Sequence, residues 1–206
     1  KQVIAEPVGR NTAPCVGLAA AIIGKHDPQA VMVVVPADSY IPDVAQYKRV
    51  VKDSLEFAAR ENVLITIGIK PTEPATGYGY IRLGEALPPP AGVKSYKTVF
   101  HRAEQFVEKP NLDRALEYLQ SGQYRWNAGM FVFQADLFLS LLKSAQPSIA
   151  AAALELAGTS AAAPDLYAGL PDLSIDYGLL EKYADRAVVV PVSMGWSDLG
   201  SWEAIY

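Results

Sequence analysis

The chain has 206 residues, half of them apolar, which is enough for one α/β domain or at most two small ones. Its formal charge is −4 and its isoelectric point about 5.2, so it lacks the basic excess of a general nucleic-acid-binding surface. Its single cysteine, Cys15, excludes an internal disulfide and fits a reducing cytoplasm, and no apolar run approaches the roughly 18 residues of a membrane span.

Hydrophobic periodicity and capping residues predict strands that alternate with helices, an order typical of a mostly parallel sheet covered on both faces. In chain order, the predicted elements are a strand at 3–5, a helix at 13–24 capped by Asn11 or Thr12, a strand at 31–35, a helix at 44–58, strands at 63–69, 78–83, 97–100 and 104–107, a helix at 111–122, a strand at 125–133, helices near 137–142 and 150–163, a capped segment at 175–181 and a strand at 187–190.

The strand at 31–35 contains four valines, and a continuous β-branched run predicts burial on both faces in the middle of a parallel sheet. Pro36 has no backbone N–H, so the strand should end there, and the chain leaves the sheet carrying Asp38. In open α/β sheets, ligands bind beyond the carboxyl ends of the strands. Asp38 is therefore a candidate site residue, although its spacing fits a turn-capping aspartate equally well.

Asp198 follows the last predicted strand in a similar way, a few residues beyond Pro191. Two carboxylates that converge at one sheet edge suit Mg²⁺, which usually takes one or two carboxylates together with substrate phosphate oxygens. Periodicity alone equally allows two unrelated turn aspartates.

Glu108 and Lys109 stand at a third strand end. A lysine there can hold a phosphate as a point charge, and a glutamate can accept hydrogen bonds from sugar hydroxyls. A surface ion pair is the alternative interpretation. Gly79 lies inside the predicted strand at 78–83, which indicates that another group approaches the backbone closely at that point.

Several motifs occur in an order that resembles the bacterial mannose-1-phosphate guanylyltransferases, within the sugar-phosphate nucleotidyltransferases. They span the whole chain, and the first and last are the most specific. The motifs are Glu6-Pro-Val-Gly-Arg-Asn-Thr-Ala-Pro14, Val35-Pro-Ala-Asp38, Thr76-Gly-Tyr-Gly-Tyr-Ile81, Phe106-Val-Glu-Lys-Pro110, Trp126-Asn-Ala-Gly-Met-Phe131, Ser174-Ile-Asp-Tyr177 and Gly195-Trp-Ser-Asp-Leu-Gly-Ser-Trp202.

The resemblance implies a Rossmann-like α/β fold, with a mostly parallel mixed sheet flanked by helices. It also implies a reaction: GTP and mannose 1-phosphate give GDP-mannose and pyrophosphate, by in-line attack at the α-phosphorus in the presence of Mg²⁺. On this basis Asp38 and Asp198 hold the metal, and Lys109 joins them as a catalytic residue. The nucleotide side would comprise Glu6, Pro7, Asn11, Thr12, Ala37 and Asp38, and the sugar-phosphate side Gly79, Glu108, Lys109 and Asn127.

The chain departs from the family pattern in one respect. The family carries a Gly-Gly-x-Gly-x-Arg loop that cradles the triphosphate, and these 206 residues do not contain it. We therefore expect a single nucleotidyltransferase domain over 1–206 that lacks the first strand or strands, exposes an apolar sheet edge and is inactive by itself. A homodimer is one of the oligomeric states that the resemblance allows.

Two other functions remain open at this point. The first is a uridylyl- or thymidylyltransferase acting on another hexose 1-phosphate, because the Pro-Ala-Asp and Glu-Lys-Pro pieces are shared with those enzymes. The second is a non-catalytic domain that binds a sugar nucleotide, which the missing loop makes plausible.

Overall fold

In the computed structural model, which describes residues 3–158 and 164–199, six strands form one mixed sheet with helices on both faces. In chain order the elements are α1 Thr12–His26, β1 Val31–Val34, α2 Val44–Arg60, β2 Leu64–Ile69, β3 Tyr80–Leu87, β4 Phe100–Val107, α3 Leu112–Ser121, β5 Tyr124–Gln134, α4 Ala135–Ala145, α5 Pro147–Gly158, α6 Pro164–Ala168, a π-helical turn Asp176–Leu180, a 3₁₀ turn Ala184–Arg186 and β6 Ala187–Val192. No helix in the described ranges is long and apolar enough to cross a membrane.

The sheet has the strand order β1-β5-β2-β6-β4-β3, and β3 also pairs with β5. Strands β2 and β6 are parallel, whereas the other ladders between the described strands are antiparallel. The predicted α/β class with a mixed sheet is confirmed, but the described ladders are mostly antiparallel because the 11-residue strand β5 runs against β1, β2 and β3.

Strand β1 lies at the edge of the described sheet, so its predicted place in the middle of a parallel sheet is wrong. It pairs with β5 alone among the described strands, and that pairing is antiparallel. The predicted burial on both faces is also wrong, because Val33 is 38% exposed and Val35, one residue beyond β1, is 46% exposed. A run of valines indicates a strand, but it does not say which strands flank it.

Three other predictions about elements need correction. Residues 3–5 form no strand, because no ladder partner fixes them and Val3 is 87% exposed. In place of the two strands predicted at 97–100 and 104–107 there is the single strand β4, which begins at Phe100 and leaves residues 97–99 outside any strand. The helix predicted at 150–163 ends at Gly158 in the described structure, and residues 159–163 lie outside the described residues.

Two apolar clusters cover the two faces of the sheet. Helices α1, α4 and α5 pack on one face, where a Cβ added to Gly17 of α1 would lie 2.8 Å from Leu142 Cδ2 of α4. Helices α2 and α3 pack on the other face, where the rings of Phe57 and Phe100 stack with their centroids 4.2 Å apart. Residues 130–133 of β5 alternate between these clusters, because side chains along a strand point to opposite faces. The loops at one end of the sheet form a cleft.

Candidate functional site

A cleft of about 250 Å³ gathers side chains from the ends of several strands. Loops after β1 and β6, the start of β3, the end of β4 and the middle of β5 all contribute to it. Six of the predicted site residues line this cleft: Asp38, Gly79, Glu108, Lys109, Asn127 and Asp198. The structure therefore brings together residues that stand up to 160 positions apart in the sequence.

The loops that carry Asp38 and Asp198 are joined by a short antiparallel bridge. The backbone N–H of Tyr40 donates to the carbonyl of Ser197 at 2.8 Å, and the N–H of Ser197 donates back to the carbonyl of Tyr40 at 3.0 Å. Trp196 Nε1 adds a hydrogen bond to Ser39 Oγ at 3.3 Å. Because each aspartate lies within two residues of this bridge, the bridge brings both residues to the same cleft.

Tyr78 supports one of these carboxylates. Its hydroxyl donates to Asp198 Oδ1 at 3.0 Å, and its ring packs edge-on against Trp126 and Trp196, with centroids 5.0 and 5.7 Å away. Burial, followed by the hydrogen bond to Asp198, raises the pKa of Tyr78 to about 12. The phenol therefore stays protonated at neutral pH and remains a hydrogen-bond donor.

Gly79 leaves room for the carboxylate of Glu108. A Cβ added to Gly79 would lie 2.5 Å from Glu108 Oε2 and 2.9 Å from Phe106 Cζ. The carbonyl of Gly79 accepts a hydrogen bond from the backbone N–H of Asn127 at 2.8 Å. The close approach predicted at Gly79 is thus present, and the approaching group is the Glu108 side chain. Its predicted place inside a strand is wrong, because β3 begins at Tyr80.

Glu108 and Asp176 form a pair of carboxyl groups in the same cleft. Burial, and then the nearby charge of Asp176, raises the pKa of Glu108 to about 7, while Lys109 acts in the opposite direction. Burial also raises the pKa of Asp176, which accepts a hydrogen bond from Asn127 Nδ2 at 2.6 Å. Lys109 has a φ of +44°, a strained backbone conformation of the kind that clusters at functional sites.

The residues predicted for the nucleotide side, apart from Asp38, do not line this cleft. Glu6 Oε2 accepts a hydrogen bond from the Tyr167 hydroxyl at 2.6 Å, and Asn11 caps α1. Thr12 Oγ1 accepts from the N–H of Ile175 at 2.9 Å, which ties the start of α1 to the residue before Asp176. Pro7 is exposed beside them, and Ala37 lies between two lining residues. Their role in nucleotide binding stays a prediction.

Sequence reasoning did not single out several residues that line the cleft, namely Ser39, Tyr78, Asp176 and Trp196. Asp176 belongs to the Ser-Ile-Asp-Tyr motif, so that motif was the available signal for it. Asp176 is the half-buried first residue of a π-helical turn, and local periodicity does not reveal such a turn.

The chain is similar to known proteins along its whole length. The profile of the family described as Nucleotidyl transferase matches residues 1–206. The chain is 44% identical to a mannose-1-phosphate guanylyltransferase from Salmonella montevideo, over 99% of this chain and 43% of that protein. It is 41% identical to the xanthan biosynthesis protein XanB of Xanthomonas campestris pv. campestris (strain ATCC 33913), over 98% of this chain and 42% of that protein.

A solved structure has the same fold. It comes from Thermus thermophilus and is described as a mannose-1-phosphate geranyltransferase. The TM-score is 0.84 at 38% sequence identity, covering 98% of this chain and 56% of that one. The chain spans less than half the length of the two curated relatives.

Proposed function

The chain belongs to the nucleotidyl transferase family, and from the geometry of the cleft we propose that it forms the acidic and sugar-phosphate-binding part of a mannose-1-phosphate guanylyltransferase. In the proposed reaction, a phosphate oxygen of mannose 1-phosphate attacks the α-phosphorus of GTP. The bond from that phosphorus to the bridging oxygen breaks, pyrophosphate leaves, and GDP-mannose forms.

The observation that carries this proposal is the convergence of Asp38, Asp198, Glu108, Lys109 and Asn127 in one cleft. The names of the similar proteins support the choice of mannose 1-phosphate and of the guanylyl group. The enzyme's contribution to such a transfer is mainly to position the reactants and to neutralise charge.

Asp38 and Asp198 are the residues that we propose hold Mg²⁺. Their carboxylates offer the hard oxygen ligands that this ion prefers, and the bridge between their loops brings both residues to the same cleft. Within residues 3–158 and 164–199, no cluster of three or more His, Cys, Asp or Glu side chains is arranged to hold a metal ion. Two carboxylates fit Mg²⁺, which completes its shell with water and substrate phosphate. When bound, the ion would neutralise charge at the α-phosphate.

Lys109, Glu108 and Asn127 form the proposed sugar-phosphate side. The ammonium group of Lys109 would attract the sugar phosphate, and the carboxyl of Glu108 would meet sugar hydroxyls. Glu6, Pro7, Asn11, Thr12 and Ala37 are proposed to face the guanosine of GTP. A cytoplasmic location belongs to the same proposal, because the single cysteine of the chain fits a reducing compartment.

A panel of nucleotides and sugar phosphates tests this function. Pyrophosphate release by the full-length gene product should be highest with GTP and mannose 1-phosphate in the presence of Mg²⁺. A preference for UTP or dTTP with another hexose 1-phosphate would overturn the proposed specificity. Calorimetry with GDP-mannose belongs beside this assay, because binding without pyrophosphate release would instead identify a non-catalytic sugar-nucleotide-binding domain.

A further inference from the structure

Thr66 is a buried hydroxyl in the middle of an otherwise apolar strand. It is 1% exposed, and its strand neighbours Ile65 and Ile67 are buried aliphatic residues. Its hydroxyl donates to Asn127 Oδ1 at 2.9 Å across the ladder between β2 and β5. A buried hydroxyl is costly unless it has such a partner, so this hydrogen bond accounts for a polar residue at this position.

Asn127 is held from three sides. Its Oδ1 accepts hydrogen bonds from Thr66 and from the backbone N–H of Gly129, which is 3.3 Å away. Its Nδ2 donates to Asp176 Oδ1 at 2.6 Å. Nδ2 carries two hydrogens, and Asp176 accepts only one. The second hydrogen has no partner among the described residues, and Asn127 lines the cleft.

We infer that Thr66 is a positioning residue, which fixes the Asn127 amide so that its second Nδ2 hydrogen can donate to an oxygen of the sugar phosphate. This inference rests on the proposed function. Thr66 does not line the cleft and acts only through Asn127. Without its hydroxyl, the amide oxygen of Asn127 keeps only the longer hydrogen bond from Gly129, and the side chain can leave the position from which it binds.

The test uses Thr66→Val, which keeps the shape of the side chain and removes the donor, and Thr66→Ser, which restores the hydroxyl. We expect Thr66→Val to raise KM for mannose 1-phosphate about tenfold, or about 1.4 kcal/mol, while KM for GTP stays within about twofold of wild type. Thr66→Ser should return KM for mannose 1-phosphate close to the wild-type value.

Thr98→Val is the matched control. Thr98 is also a buried threonine, 9% exposed, whose hydroxyl donates to Asp53 Oδ2 at 2.5 Å, but neither residue lines the cleft. The Thr98→Val variant should lower the melting temperature, as we also expect of Thr66→Val, but it should not change KM for mannose 1-phosphate. An equal rise in KM in both variants would overturn the inference, because the effect would then reflect general destabilisation.

A double-mutant cycle with Asn127→Ala separates the inference from the proposed function. In the Asn127→Ala background, Thr66→Val should raise KM no further, because the amide that it positions is gone. Additive effects, or an effect of Asn127→Ala without any effect of Thr66→Val, would refute the positioning role while leaving the proposed function intact. If Asn127→Ala leaves KM for mannose 1-phosphate unchanged, the proposed sugar-phosphate site itself is wrong.

Discussion

At the scale of residues, the cleft contains two kinds of carboxyl group. Asp38 and Asp198 stand on loops that a backbone bridge holds together, and Tyr78 donates a hydrogen bond to Asp198. Glu108 and Asp176 stand close to each other in a more buried setting, and both have a raised pKa. The first pair suits a cation, whereas the second pair suits hydrogen bonding to hydroxyl groups.

The proposed metal-binding role of Asp198 leads to a direct prediction. Asp198→Asn should lower Mg²⁺-dependent turnover by on the order of 10²-fold, the scale of losing one key electrostatic group at a reacting centre. The melting temperature should stay near that of wild type, because asparagine can still accept the hydrogen bond from Tyr78. Asp165→Asn, an exposed aspartate on α6, is the control and should leave turnover unchanged. Near-wild-type activity in Asp198→Asn would contradict the assignment.

The raised pKa of Glu108 predicts a dependence of stability on pH. Its pKa is about 7 in the folded state against an ordinary value of 4.5, so the folded state holds this proton more tightly than the unfolded chain. Its favourable contribution is therefore complete below about pH 4.5 and is lost as the pH rises through about 7. Glu108→Gln, which stays neutral, should raise the melting temperature relative to wild type at about pH 8 by on the order of 2 °C.

At about pH 5, Glu108→Gln should raise the melting temperature by less than it does at about pH 8, because wild-type Glu108 is then mostly protonated in the folded state. Glu155→Gln on the exposed face of α5 is the control, and its effect should not differ between the two pH values. An equal increase in melting temperature from Glu108→Gln at both pH values would show that burial does not raise the pKa of Glu108.

At the scale of elements, the start of strand β3 shows how backbone and site are connected. Gly79 lies one residue before β3, its carbonyl is bonded to β5 through Asn127, and the end of β4 places Glu108 against it. The absence of a side chain at Gly79 is what allows three neighbouring segments to meet around the proposed sugar-phosphate side of the cleft.

Gly79→Ala tests this arrangement. Its new methyl group would lie 2.5 Å from Glu108 Oε2, so the carboxylate must move away, and we expect KM for mannose 1-phosphate to rise at least about tenfold. Gly158→Ala, where no heavy atom lies within 4 Å of the added Cβ, should leave KM unchanged. An unchanged KM in Gly79→Ala would show that the position of Glu108 does not matter for the sugar phosphate.

Most helices and several of the strands could be predicted, because periodicity and capping are local properties of the sequence. Asn111 caps α3 by accepting a hydrogen bond from Arg114 N at 3.0 Å, and Gly122 ends the helix in the left-handed conformation, which agrees with the predicted bounds of 111–122. The direction of the strands could not be predicted in the same way. The 11 residues of β5 run antiparallel to three neighbours, and no local pattern states which strands pair.

At the scale of the whole molecule, two apolar clusters fix the sheet between its helices, and one end of the sheet carries the cleft. The motifs were enough to predict six of the cleft residues, because the resemblance supplied roles for strand-end positions. Only the folded structure shows that the site also involves Asp176, Tyr78 and Thr66. Each takes part in the site through a hydrogen bond to a residue 49, 120 or 61 positions away in the sequence.

A crystal structure of the protein with GDP-mannose and Mn²⁺ would test directly whether this cleft is the substrate site. We expect the anomalous signal of Mn²⁺ to lie in contact with the carboxylates of Asp38 and Asp198. The mannose should lie beside Gly79, with Glu108 and Asn127 bonded to it. A metal bound away from both aspartates, or a sugar nucleotide bound outside this cleft, would contradict the proposed site.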